Sequence, residues 1–127
     1  MELTLNKYQK RAMTTCMASS NNPLYMLFML GEEVGELQGK FSKAIRKGHL
    51  FFDCNDIHSQ HDSIEAYREW VDLVKKEMGD VLWGIAGLAH VLNIPLQEIG
   101  DINLDKLAAR KAAGTIDGNG DGIERSK

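Results

Sequence analysis

The chain has 127 residues, 43% of them hydrophobic and 26% charged, the size and mix of one ordinary globular domain. Fifteen Lys and Arg against eighteen Asp and Glu leave a net charge of −3, so bulk charge does not favour a polyanion and nucleic acid is not an expected partner. No apolar run approaches the roughly 18 residues of a membrane span and the opening shows no signal-peptide pattern, so the expectation is a soluble, cytoplasmic protein with no membrane partner.

A first helix is expected over 4–19, stopped by Asn21-Asn22-Pro23. A second runs over 24–47, where Leu30, Val34, Leu37, Phe41, Ala44 and Ile45 recur at steps of three and four before Gly48. The stretch 48–62 carries Asp53, Asn55, Asp56, Ser59 and Asp62 without a period and reads as a connecting loop. Ser63 is a plausible N-cap for a long third helix reaching about Asn93. Its second half, Val81 to Ala89, is apolar on every side, which demands burial. A short fourth helix follows from Pro95 to about Ala113. Gly114, Gly118, Gly120 and Gly122 then make the end a loop or a flexible tail. The expected fold is all-α, a four-helix domain over 1–115 with a Gly-rich tail over 116–127. Helices this short and this apolar need a second copy to bury Val81–Leu92, so a homodimer or homotetramer is expected.

The chemistry lies in two acidic clusters. In Gly31-Glu32-Glu33-Val34-Gly35-Glu36-Leu37, Glu33 and Glu36 stand three apart and project from adjacent turns about 60° from one another, close enough to share a ligand. In Lys76-Glu77-Met78-Gly79-Asp80-Val81 the spacing recurs. With Leu73 as reference, Glu77 falls at about 40° and Asp80 at about −20°, which puts both on the expected core face. Either motif alone is common on a solvated helix face, and Lys40, Lys43, Lys75 and Lys76 could pair with the acids. Four inward carboxylates together, however, cost several kcal/mol unless compensated, and hard oxygen donors without His or Cys beside them suit Mg²⁺ or Mn²⁺.

Lys106 and Arg110 share one face of the fourth helix with Asn103 a turn earlier, a phosphate-sized cradle or an ordinary basic stripe near a helix C-terminus. Lys40 and Lys43 are alternative phosphate contacts. Trp83 could stack on a base or sit in the core, and Gly84 and Gly87 could make room for substrate or for close helix packing. Cys16 and Cys54 read as reduced thiols. Cys54, His58 and His61 have zinc-like spacing but no fourth ligand, and His90 reads as a core histidine. Asp117-Gly118-Asn119-Gly120-Asp121-Gly122 resembles the start of an EF-hand loop, whose twelfth position falls past residue 127.

Glu32-Glu33-Val34-Gly35-Glu36-Leu37 followed by Glu77-Met78-Gly79-Asp80-Val81-Leu82-Trp83 resembles the EExxE…ExxD signature of the MazG-type nucleotide pyrophosphohydrolases, in the all-α NTP pyrophosphatase superfamily. Asn103-Leu104-Asp105-Lys106-Leu107-Ala108-Ala109-Arg110 is similar to that family's NxxKLxxR segment, and Tyr8-Gln9 with Ala12 resembles the opening of its phage-encoded members. The 40 residues between Glu36 and Glu77 exceed the family's usual interval, with the excess around His49–Ser63. The resemblance implies a MazG-like bundle that hydrolyses a (deoxy)nucleoside triphosphate to monophosphate and pyrophosphate with Mg²⁺ or Mn²⁺, shaping a nucleotide pool, with a purine such as dGTP as the lean. It also implies a phage-encoded protein acting in a host cytoplasm. Glu33, Glu36, Glu77 and Asp80 would hold metal, and Glu32 would orient or deprotonate the attacking water. Asn103, Lys106 and Arg110 would contact substrate, with Lys40 and Trp83, read from their positions alone, as further candidate contacts. The contrasting reading is a helical interaction or regulatory module without catalysis.

Overall fold

A computed structural model of the chain describes residues 1–117. In chain order it contains α1 (Leu5–Ala12), two short 3₁₀ turns (Met13–Thr15 and Ala18–Ser20), α2 (Pro23–Arg46), β1 (Leu50–Asp53), β2 (Asp56–Ser59), α3 (Ile64–Val91) and α4 (Leu96–Ala113). The four expected helices are present, within two residues of the expected ends except for the first, which stops at Ala12 and continues as 3₁₀ turns. The expected loop over 48–62 is corrected to a β-hairpin. The EF-hand-like stretch lies almost wholly outside the described residues.

Local chemistry accounts for the helix starts. The Thr4 hydroxyl accepts from the Lys7 N–H at 3.2 Å, the Asn22 side chain from Tyr25 N–H at 2.8 Å with Pro23 following it, and the Ser63 hydroxyl from Ala66 N–H at 3.0 Å. Pro95, at the head of α4, has no side chain to offer. Helix α1 supplies the caps instead: Gln9 Oε1 accepts from Leu96 N–H at 3.0 Å, and Asn6 Oδ1 accepts from Gln97 N–H at 2.9 Å. Gln9 Nε2 also donates to the carbonyls of Ala86 and Ile94, so this one amide ties α1 to the end of α3 and the start of α4.

Helices α2 and α3 run antiparallel, Met26 opposite Gly87, Leu30 opposite Gly84, and Lys40 opposite Glu77 and Trp70. The seam is close because of the glycines. A Cβ on Gly87 would meet the Met26 sulfur at 2.5 Å, and one on Gly84 would meet Leu30 at 3.3 Å. Of the two readings of this pair, close helix packing is the one realised. Ala86, Ala89 and Leu96 form the core on the other side, under Tyr8, Met13 and Ile94.

The apolar half of α3 is buried along these two seams only, while Leu82 and Ile85 remain exposed and so does His90. His90 is therefore corrected from a core residue to one lining an open cleft with Asn6 and Lys10. Among the described residues no single helix is long and apolar enough to cross a membrane.

Gly48, at φ +71°, releases the chain from α2 into the hairpin, a conformation that glycine adopts without steric cost. The strands pair Phe51 with His58 and Phe52 with Ile57, and the Phe51 and His58 rings stack at 4.8 Å. Leu50 is buried and anchors β1 to the body. His61, just past β2, packs against His49, Tyr67 and Trp70 with centroids 5.0 to 5.6 Å apart. The aromatic pair Phe51-Phe52 and the β-branched Ile57 suit a strand pair, and Asp and Asn residues at the turn and flanks masked them in the sequence.

Candidate functional site

Helix α2 carries Glu33 and α3 carries Glu77 and Asp80, and the antiparallel seam brings them together. One oxygen from each of the three lies within 4.8 Å of the others. Glu77 is buried at 9% relative exposure, Glu33 is half-buried and Asp80 is exposed. The expectation that both α3 acids point into the core is thus corrected for Asp80. Leu73, the reference of that face, is itself exposed, because the arc that holds the α3 acids extends past the packed seam onto its rim.

Compensation for this charge is visible. Lys40 Nζ lies 2.8 Å from Glu77 Oε1, and that hydrogen bond holds the Lys40 ammonium pKa above its ordinary value. Among the described residues Glu33 has no such partner. Its carboxyl is raised above the usual carboxylate range by burial, then by the negative charges of Asp80, Glu36, Glu32 and Glu77. The Tyr8 phenol is raised by burial and by Asp80, which places α1 within the field of the cluster.

Two cavities flank the acids. One, of about 320 Å³, is lined by Glu33 and Asp80 with Thr15, Tyr25, Met29 and Trp83. The other, of about 420 Å³, runs between α2 and α3 and is lined by Glu36, Lys40, Lys43, Lys47, His49, Trp70 and Leu73. Trp83 lines the first cavity, and its indole N–H donates to the Ala12 carbonyl at 3.2 Å and the Thr15 hydroxyl at 2.9 Å.

Of the expected metal ligands, Glu33, Glu77 and Asp80 converge, while Glu36 stands one turn along and faces the lysine-lined cavity. Glu32 lines a third cleft with Phe28, which borders the acid cleft by sharing Tyr25 and Met29 with it. Asn103, Lys106 and Arg110 sit on α4, which packs mainly on α1, and none of them lines either cavity beside the acids. Within one chain the expected phosphate cradle is therefore not part of this site. Cys54, His58 and His61 are spread over the hairpin turn, β2 and the segment after it. The acidic trio is the group of metal-ligating type among the described residues.

Lys47, His49, Trp70, Tyr25 and Thr15 were not singled out from the sequence. The signal for two of them was present: starting from Glu33 and stepping by three or four along the second helix reaches Tyr25 in one direction and Lys47 in the other.

No family model matches the chain, and no solved structure matches it. The chain is similar to the Gene 37 protein of Mycobacterium phage L5, 33% identical over 97 residues that span 76% of this chain and 73% of that relative. At that identity and coverage, the chain belongs to the same family as the Gene 37 protein of Mycobacterium phage L5.

Proposed function

We propose that this protein is a metal-dependent nucleoside triphosphate pyrophosphohydrolase, cleaving a (deoxy)nucleoside triphosphate to monophosphate and pyrophosphate. The observation that carries the reading is the convergence of Glu33, Glu77 and Asp80 within 4.8 Å beside a cavity lined by lysines. An all-oxygen donor set of three carboxylates, one with its pKa raised by burial and by the acids around it, fits Mg²⁺ or Mn²⁺. The resemblance of Glu32–Leu37 and Glu77–Trp83 to the MazG signature supports the same chemistry.

In this reading Glu33, Glu77 and Asp80 hold the cation and Glu36 completes the acidic rim. When bound, the cation neutralises phosphate oxygens and makes water more acidic. Lys40, paired with Glu77 and facing the second cavity, is placed to pass from carboxylate to phosphate. Glu32, bordering the acid cleft, is the group assigned to the attacking water. Trp83, fixed by two hydrogen bonds, offers a preorganised ring to the nucleoside. A second copy of the chain, giving a homodimer or homotetramer, covers the exposed apolar faces. Asn103, Lys106 and Arg110 enter the site only if that second copy presents them.

The test is hydrolysis of each ribo- and deoxynucleoside triphosphate with Mg²⁺ or Mn²⁺ in ¹⁸O-labelled water. The expected products are labelled monophosphate and unlabelled pyrophosphate, with Asp80→Asn folded but at least 100-fold slower. Label in pyrophosphate or release of orthophosphate would assign a different bond. Failure with every triphosphate and both metals would leave the non-catalytic helical module.

A further inference from the structure

The second cavity, lined by lysines, has a chemistry of its own. Along α2, the residues Tyr25, Met29, Glu33, Glu36, Lys40, Lys43 and Lys47 follow one another at steps of four, four, three, four, three and four. At about 100° per residue all seven fall within an arc of about 80°. One stripe of one helix therefore reads aromatic and apolar, then acidic, then basic. The structure partitions it the same way: Tyr25 and Met29 line the cavity on one side of the acids, and Lys40, Lys43 and Lys47 line the cavity on the other. From Lys40 to Lys47 the helix rises about 10 Å, comparable to the extent of a diphosphate with its contacts. The helix dipole favours cations in the last turn of any helix, but it does not account for the enclosing wall of Trp70 and Leu73 on α3.

We infer that this groove is a polyphosphate subsite that holds the leaving pyrophosphate, so that a triphosphate lies along α2 with its nucleoside toward Tyr25 and Trp83 and its γ end toward Lys47. The inference rests on the proposed hydrolysis for its direction, though not for the groove's affinity for polyphosphate. In the reaction the water oxygen bonds to the α phosphorus, and the bond from that phosphorus to the α–β bridging oxygen breaks. The electron pair stays on the bridging oxygen and the water's proton passes to the surrounding carboxylates and solvent. Negative charge thus develops on the pyrophosphate, where the ammonium groups of Lys40, Lys43 and Lys47 are already in place.

The test measures inorganic pyrophosphate binding by calorimetry, with and without Mg²⁺, in the wild type, Lys43→Gln/Lys47→Gln, Lys43→Arg/Lys47→Arg and, as a charge-matched control on α1, Lys7→Gln/Lys10→Gln. The glutamine pair on α2 should weaken pyrophosphate at least tenfold, the arginine pair should retain it, and the α1 pair should leave it unchanged. Monophosphate affinity should be the same in all four proteins. Unchanged pyrophosphate binding in Lys43→Gln/Lys47→Gln, or an equal loss in the α1 pair, would overturn the inference even if hydrolysis stands. Pyrophosphate binding that depends on the α2 lysines, in a protein that hydrolyses no triphosphate, would keep the groove and remove the proposed activity.

Discussion

Glu77 shows how one side chain can be both a cost and a tool. A carboxylate at 9% exposure, with two more acids within 4.8 Å, is unfavourable by several kcal/mol unless a cation balances it. Lys40 provides that balance at 2.8 Å, so the site is charged yet foldable. A different residue governs the pH response. His61 is held below the ordinary imidazole pKa by burial and by the neighbouring His49, with Asp62 opposing. The unfolded chain therefore takes up this proton at a higher pH than the native protein does. Stability is full above the unfolded value of about 6.5 and is lost as pH falls below it, until the native group also protonates. Thermal melts from pH 7.5 to 5.5 should show a falling midpoint with a change in Trp70 fluorescence, and His61→Gln should flatten that slope. An equal slope in the variant would remove His61 as its cause.

Among the elements, α1 earns its place less by its own burial than by what Gln9 and Asn6 do for others. Pro95 starts α4 without a capping side chain, and two backbone N–H groups there are satisfied from α1. Gln9→Ala leaves the Leu96 N–H and two carbonyls without their partner in a part-buried junction. The expected loss is about 1–3 kcal/mol, read from the urea midpoint. A loss under about 0.5 kcal/mol would mean that water replaces the amide. The same junction shows why the Tyr8-Gln9 pair stood out in the sequence while its role did not. A capping bond across 87 residues has no local pattern.

For the whole molecule the central fact is the small core. The buried apolar side chains among the described residues are Met26, Met29, Ala44, Leu50, Ala86, Ala89 and Leu96, whereas Leu27, Phe28, Met78, Ile102 and Leu104 are all more than half exposed. A contiguous apolar patch marks an association surface, and the proposed second copy would cover these residues. Sedimentation at micromolar concentration should find a dimer or larger, and Phe28→Asp or Leu104→Asp should shift it toward monomer and lower the melting temperature. A monomer for the wild type across that range would defeat the proposed assembly.

The helices and the acids were legible from the chain alone because both follow from short spacing: a 3.6-residue period sets the apolar stripes, Asn22, Ser63 and Gly114 mark ends, and Glu33 with Glu36 or Glu77 with Asp80 share a face by arithmetic. The hairpin was not legible, since its strands are only four residues long, carry no polar–apolar alternation, and are anchored to the body through Leu50. Which acids meet was also beyond the sequence. Glu36 and Glu33 differ by one turn, and only the contact of α2 with α3 through Gly84 and Gly87 decides which of them faces Glu77 and Asp80. The same close seam leaves a groove beside it, so that Lys40, Lys43 and Lys47, an ordinary basic stripe in one dimension, become the wall of a cavity in three.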